Sequence, residues 1–260
     1  MLRKIAIMKL TWIDLNSWIF QLAGKTVLVD PWLVDPMVFY GQPWLFTAAH
    51  STPPAFTPET LPPIDLILLS QGLDDHCHVP TLEKLDRSLS VVASPTAAKV
   101  VKKLGYQQIT TLTAWEETTI APNLQITAIP GAEIQPGQME NGYLLKDLQT
   151  CKALYYEPHQ FPFKAAERIS KVDVAIAPVI GQRFPLLGQV IMGPQQTLQM
   201  LQALHPQFFL PTTRGEIRAT GLLPMLTQSV GSVEEFRDRL IASGLSTQLL
   251  VPNPGESIEC

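Results

Sequence analysis

Leu66-Ile-Leu-Leu-Ser-Gln-Gly-Leu-Asp-Asp-His-Cys-His78 joins an apolar run to two aspartates and two histidines. Ile64 to Leu69 reads as a buried strand, because an apolar run of this length flanked by polar residues needs cover on both faces. The residues that follow then lie at the strand's carboxyl end, where layered α/β folds carry much of their chemistry. Adjacent Asp75 and His76 in such a loop suit a metal, since carboxylate oxygen and imidazole nitrogen are both ordinary ligands. Gln71 and Leu73 just before them do not, and leucine has no ligand atom at all.

Outward from this stretch, strands and helices follow each other in a regular order. Leu10 to Leu22 reads as strand, break, strand; Gly24-Lys25 is a turn, and Thr26 to Val29 returns to Asp30-Pro31. A helix is expected at 79–86, a strand at 90–93, and a helix at 96–104 capped by Ser94 or Thr96 and ended by Gly105. Strands are expected at 118–120, 124–129, 143–146, 153–156, 172–177, 208–210 and 248–251. Helices are expected at 162–170, 193–204 and 233–243, the second opened by Pro194 in its first turn. Two halves with strand meanders and external helices predict an α/β fold, a four-layer αββα sandwich. Neither a GxGxxG turn after the first strand nor a GxxxxGK[ST] loop occurs, which argues against a nucleotide-binding half.

Composition narrows the classes further. The 260 residues are 46% hydrophobic and 16% charged, enough for a large core, and we read 1–260 as a single domain. A net charge of −4 argues against a broad nucleic-acid-binding face. Cys77, Cys151 and Cys260 are scattered and odd in number, so a reducing, cytoplasmic setting is expected. The basic start, residues 1–8, is too short for a signal peptide, and no apolar run is long enough for a transmembrane segment. The prolines, 23 in all, crowd into 31–63 and 158–194. The first crowd also holds Trp32, Phe39, Tyr40, Trp44, Phe46 and Phe56, too aromatic for a disordered linker. It reads as an ordered insertion that serves as lid, packing surface, homo-oligomer contact or membrane-surface contact.

Several segments together resemble the metallo-β-lactamase superfamily, most closely its branch of sugar-phosphate lactonase-like and phospholipase D-like hydrolases. Val27-Leu-Val-Asp-Pro-Trp32 looks like that branch's opening, and Thr127-Ala-Ile-Pro-Gly-Ala-Glu133 its central strand and loop. Leu154-Tyr-Tyr-Glu-Pro-His159 falls where the family has a strand ending in Gly-Asp-Thr. Met192 to Leu198 and Phe208-Phe-Leu-Pro-Thr-Thr213 resemble its last helix and strand. The family signature His-x-His-x-Asp-His falls on Gln71-Gly-Leu73-Asp-Asp75-His76. Glu133 stands at a later histidine position, His159 near a bridging aspartate, and Thr213 at the final histidine.

The resemblance implies two metal sites, of which the first has lost its histidines. The second keeps Asp75 and His76 and gains His159, with Glu133 as a further candidate; a slipped alignment would bring in Glu157 instead. One divalent metal (zinc, manganese or iron) or none is expected. Asp75 is the ligand and catalytic proton acceptor, and Asp30 can orient a metal-binding histidine through a hydrogen bond or merely form a turn. Gln71 and Arg214 are candidate substrate contacts, the latter through bidentate binding of a phosphate or carboxylate. Two functions remain open. One is hydrolysis of a small-molecule ester, lactone or phosphodiester; the other is a non-catalytic binding or interaction protein on a hydrolase scaffold. Metal-free acid–base hydrolysis by Asp74, Asp75, His76 and Glu133 ranks behind both.

Overall fold

In a computed structural model, the chain is described over residues 8–135, 138–169, 171–185 and 188–260, with backbone alone for 132–135, 138 and 165. The reading of the first seven residues lies outside these. Two seven-stranded sheets face each other. The first runs Ser257–Glu259, Lys9–Asp14, Ser17–Leu22, Lys25–Val29, Leu66–Leu69, Ser90–Ala93, Ile109–Thr111. The second runs Gln248–Leu249, Phe208–Thr212, Val174–Pro178, Ala153–Tyr156, Gln138–Asp147, Leu124–Gln135, Glu117–Ile120.

Strand sequence explains the layering. In Leu66–Leu69 successive side chains point to opposite faces. Leu66 and Leu68 enter the core between the sheets, while Ile67 and Leu69 pack with Leu82, Ala97 and Val101 of the outer helices. In Ala153–Tyr156, Leu154 and Tyr156 face the inner core. Ala153 and Tyr155 lie in the outer cluster with Leu198 and Leu201 of helix Pro194–Leu204 and Phe236 of helix Val233–Ser243. Each such buried leucine, isoleucine, valine or phenylalanine stabilises the fold by roughly 1.5–3 kcal/mol. Helix, sheet, sheet and helix form the αββα sandwich expected from the sequence.

Some elements differ from expectation. The helix at 79–86 is only Val79–Leu82, because Lys84 and Leu85 bond back three residues, to Thr81 and Leu82, and tighten the chain. The helix at 162–170 is a 3-10 segment, Phe163–Arg168; its expected last residue, Ser170, lies outside the described residues. Ser94, not Thr96, caps helix Pro95–Lys103. The central hairpin is longer than the sequence suggested, and strands Ile109–Thr111, Gly181–Phe184, Gly188–Ile191 and Ser257–Glu259 are additional.

Within 31–63, Met37–Val38 and Thr47–His50 pair, and Thr47–His50 also pairs with Ile217–Thr220. Trp32, Met37 and Ala48 form a small buried cluster beneath them. Among the described residues, no helix is long and apolar enough to cross a membrane.

Candidate metal centre

The site lies where strands of both sheets end together. Val29 leads to Asp30, Leu69 to Ser70, Tyr156 to Glu157 and Thr212 to Thr213. Asn141 N–H donates to Ser70 O at 3.1 Å, tying the second sheet to the loop that carries Asp75 and His76. Gly72 is required in that loop. A Cβ there would lie 2.8 Å from the Thr96 carbonyl carbon.

Asp30 is fully buried, with its backbone in the left-handed region at φ 41°. Its Oδ1 accepts the Ser70 N–H at 2.8 Å. Its Oδ2 accepts from Ser70 Oγ at 2.6 Å, the Tyr156 hydroxyl at 2.7 Å and His76 Nδ1 at 2.7 Å. A carboxylate on Nδ1 fixes the ring and aims Nε2 the other way. Nε2 lies 3.2 Å from Asp75 Oδ2 and 3.2 Å from Asn16 Nδ2. Burial alone would lower the His76 pKa, but Asp75 and Asp30 reverse that and raise it to about 10. Burial would also raise the Asp75 pKa, yet the His76 charge and hydrogen bond prevail and hold it below its ordinary value.

His159 completes the cluster, its ring centroid 4.7 Å from that of His76. Burial, then the His76 charge, lowers its pKa to about 3, so the imidazole is neutral and has a lone pair to give. Gln71 Nε2 stands 3.1 Å from His159 Nδ1 and 3.0 Å from Nε2. A neutral imidazole has one lone pair, so this amide engages one of the two nitrogens.

Ligand atoms of Asp75, His76 and His159 all lie within 4.8 Å of one another, the one such group among the described residues. Asp75 Oδ1 is buried and has no hydrogen-bond partner. An unpartnered carboxylate oxygen costs free energy in a protein interior, and a cation would satisfy it. Two imidazoles and a carboxylate are a donor set that zinc, manganese or iron accepts, so the residues present fit a metal.

Other expected residues lie elsewhere. Glu157 is not in the group; it is buried, with Oε1 accepting the N–H groups of His159 and Gln160, each at 3.0 Å, and Oε2 the Tyr155 hydroxyl at 3.0 Å. Glu133 sits on Leu124–Gln135 opposite Met139, its side chain outside the described residues. Thr213 braces the site indirectly, donating to Asn16 Oδ1 at 2.7 Å. Arg214 lies over the Trp12 ring at 3.6 Å, with its N–H groups donating to Pro211 O and Pro252 O. Cys77 is packed in the outer core of the first sheet, and His78 is buried against Thr81 Oγ1 and Pro36 O. Asn16, Ser70 and Tyr156 were not singled out in the sequence. Ser70 and Tyr156 lay inside stretches read for other residues, and nothing local marked Asn16.

Two face-to-face sheets with helices outside form an αββα sandwich, and a His–Asp group that could hold a metal lies where their strands end. The chain belongs to the beta-lactamase superfamily: that family's domain matches residues 9–213. A UPF0173 metal-dependent hydrolase of Thermodesulfovibrio yellowstonii is 24% identical, over 96% of this chain and 91% of its own. Another, from Methanopyrus kandleri, is 25% identical, over 97% of this chain and all of its own (100%). Among solved structures, an isothiocyanate hydrolase from Delia radicum gut bacteria shares the fold at a TM-score of 0.73. It is 18% identical, with 96% of this chain and 98% of that one covered.

Proposed function

We propose that this protein is a metal-dependent hydrolase with a single divalent ion, held by Asp75, His76 and His159, acting on a small-molecule ester, lactone or phosphodiester. The observation that carries this reading is the convergence of ligand atoms of Asp75, His76 and His159 within 4.8 Å of one another, beside a buried Asp75 oxygen that has no hydrogen-bond partner. The names of both UPF0173 relatives support it. Zinc, manganese or iron bound there would lower the pKa of a coordinated water and polarise the bond to be cleaved. Asp30 fixes the His76 ring, and the neutral His159 gives its lone pair. Asp75 holds the ion with one oxygen and takes a proton with the other. Glu133, on strand Leu124–Gln135, is a further candidate ligand.

A second reading, a binding protein without turnover, draws support from Gln71. Its amide engages His159 at a position where the superfamily carries a ligand. The deciding experiment loads the protein with zinc, manganese or iron and offers p-nitrophenyl acetate, γ-butyrolactone and bis(p-nitrophenyl) phosphate. Turnover of at least one, reduced a hundredfold or more in His76→Ala, is expected. No turnover with any metal, or turnover indifferent to His76, contradicts hydrolysis at this site.

A further inference from the structure

The short helix Leu222–Leu226 turns its apolar stripe to solvent. Leu222, Met225 and Leu226, spaced i, i+3 and i+4, share one face of it, and all three are exposed, Met225 at 83%. A helix on a globular core ordinarily buries such a stripe. Trp44, 65% exposed, stands beside it: Leu222 N–H donates to Trp44 O and Leu223 N–H to Leu45 O, each at 3.0 Å. Gly221, at φ 109°, permits this approach, since a Cβ there would lie 2.7 Å from Leu45 O. The strand that leads into the helix, Ile217–Thr220, pairs with Thr47–His50 of the insertion. Two distant stretches of chain are thus locked together, and both present large apolar side chains outward.

The segments that build this patch carry no negative charge: residues 36–58 and 217–233 contain neither aspartate nor glutamate. Asp35 and Glu216 lie at the other end of the strand pair, Asp35 accepting the His50 N–H and Glu216 beside Ser51. Asp74 meets the insertion at Tyr40, whose N–H its Oδ2 accepts at 2.9 Å. Arg218 is exposed on the strand that leads into the helix, with Nη2 donating to His50 O at 3.2 Å. Arg183, also exposed, pairs in register with Gln228, two residues past the helix. Neither arginine enters an ion pair among the described residues.

Clustered exposed apolar side chains mark a site of protein or membrane contact. A second copy joined by two-fold symmetry would bring the same arginines together, with no carboxylate of the patch to meet them. An anionic lipid surface offers apolar cover and negative charge at once. We propose that this face docks on an anionic membrane surface. Leu222, Met225 and Leu226 enter the acyl boundary, Trp44 sits at headgroup level, and Arg183 and Arg218 face the anionic headgroups. The proposal stands independently of the metal-hydrolase reading.

Co-sedimentation of the full chain with vesicles tests this, using equal parts of phosphatidylserine and phosphatidylcholine against phosphatidylcholine alone. The mixed vesicles are expected to bind about tenfold more tightly. Arg183→Gln should cut that preference about fivefold. Met225→Ser combined with Leu226→Ser should weaken binding to the mixed vesicles at least about tenfold, with the melting temperature unchanged because both side chains are exposed. Sedimentation velocity without lipid should show a monomer. The proposal is overturned by absent binding to the mixed vesicles, by equal binding to both kinds, or by binding that the double variant leaves unchanged. A dimer in solution that the double variant splits also overturns it, and assigns the face to a second copy of the chain.

Discussion

His76 Nδ1 lies 2.7 Å from Asp30 Oδ2, and both side chains are fully buried. Asp30 also binds Ser70 and Tyr156, so one carboxylate joins two strand ends of the first sheet to one of the second. This bond decides which His76 nitrogen faces Asp75. Removing such a partner costs roughly 10- to 100-fold in metal affinity. Asp30→Asn should therefore weaken zinc binding by that factor in a competition titration, with the far-ultraviolet dichroism of the sheets retained. Unchanged affinity would remove Asp30 from the account.

Gln71 leads to a prediction of opposite sign. A metal-bound histidine donates its other N–H to an acceptor, whereas the Gln71 amide nitrogen faces the His159 ring. Gln71→Glu substitutes a pure acceptor and adds negative charge beside the ion. Zinc affinity should rise by about tenfold, and Gln71→Ala should fall below Gln71→Glu. Equal affinities in all three proteins would mean that Gln71 does not act on His159.

The metal-free protein should lose stability above neutral pH. His76 is raised to about 10 from an ordinary value near 6.5. Its contribution is complete below the unfolded value and is lost as pH climbs through the folded one. Glu157, pushed up to about 8 by burial, works in the same direction between about 4.5 and 8. His159, lowered to about 3 by burial and the His76 charge, adds stability as pH rises from about 3 to 6.5. Chelator-treated protein should melt at least about 3 °C lower at pH 9 than at pH 6. A flat or rising profile over that interval would contradict the buried His76–Asp30 charge pair.

Gly72→Ala tests the packing that places the ligand loop. The new Cβ would meet the Thr96 carbonyl carbon at 2.8 Å and its Cβ at 2.9 Å. Overpacking against a backbone atom costs about 2 kcal/mol. A lower melting temperature together with weaker zinc binding is expected. Weaker binding at unchanged stability would show the loop to be softer than its contacts imply.

The layers were legible in the sequence because their signals are local. Leu66 to Leu69 are apolar at every position, as a strand covered on both faces requires. Pro194 and Ser94 mark the starts of two outer helices. Asp75 and His76 were legible because they are adjacent. His159 came from the resemblance, since nothing local ties it to His76, and the fold alone brings the two rings together. The Gln71 contact with His159 spans 88 residues and was invisible. So was Asn16, whose amide reaches a ring 60 residues away. The paired strands Gly181–Phe184 and Gly188–Ile191 escaped because they are largely half-exposed and carry little apolar pattern.

Elemental analysis of protein purified without chelator, paired with His76→Ala, tests the single-ion centre most directly. The account predicts one equivalent of zinc, manganese or iron per wild-type chain and less than a tenth of that in His76→Ala. No metal in the wild type, two equivalents, or one equivalent retained by His76→Ala would contradict it.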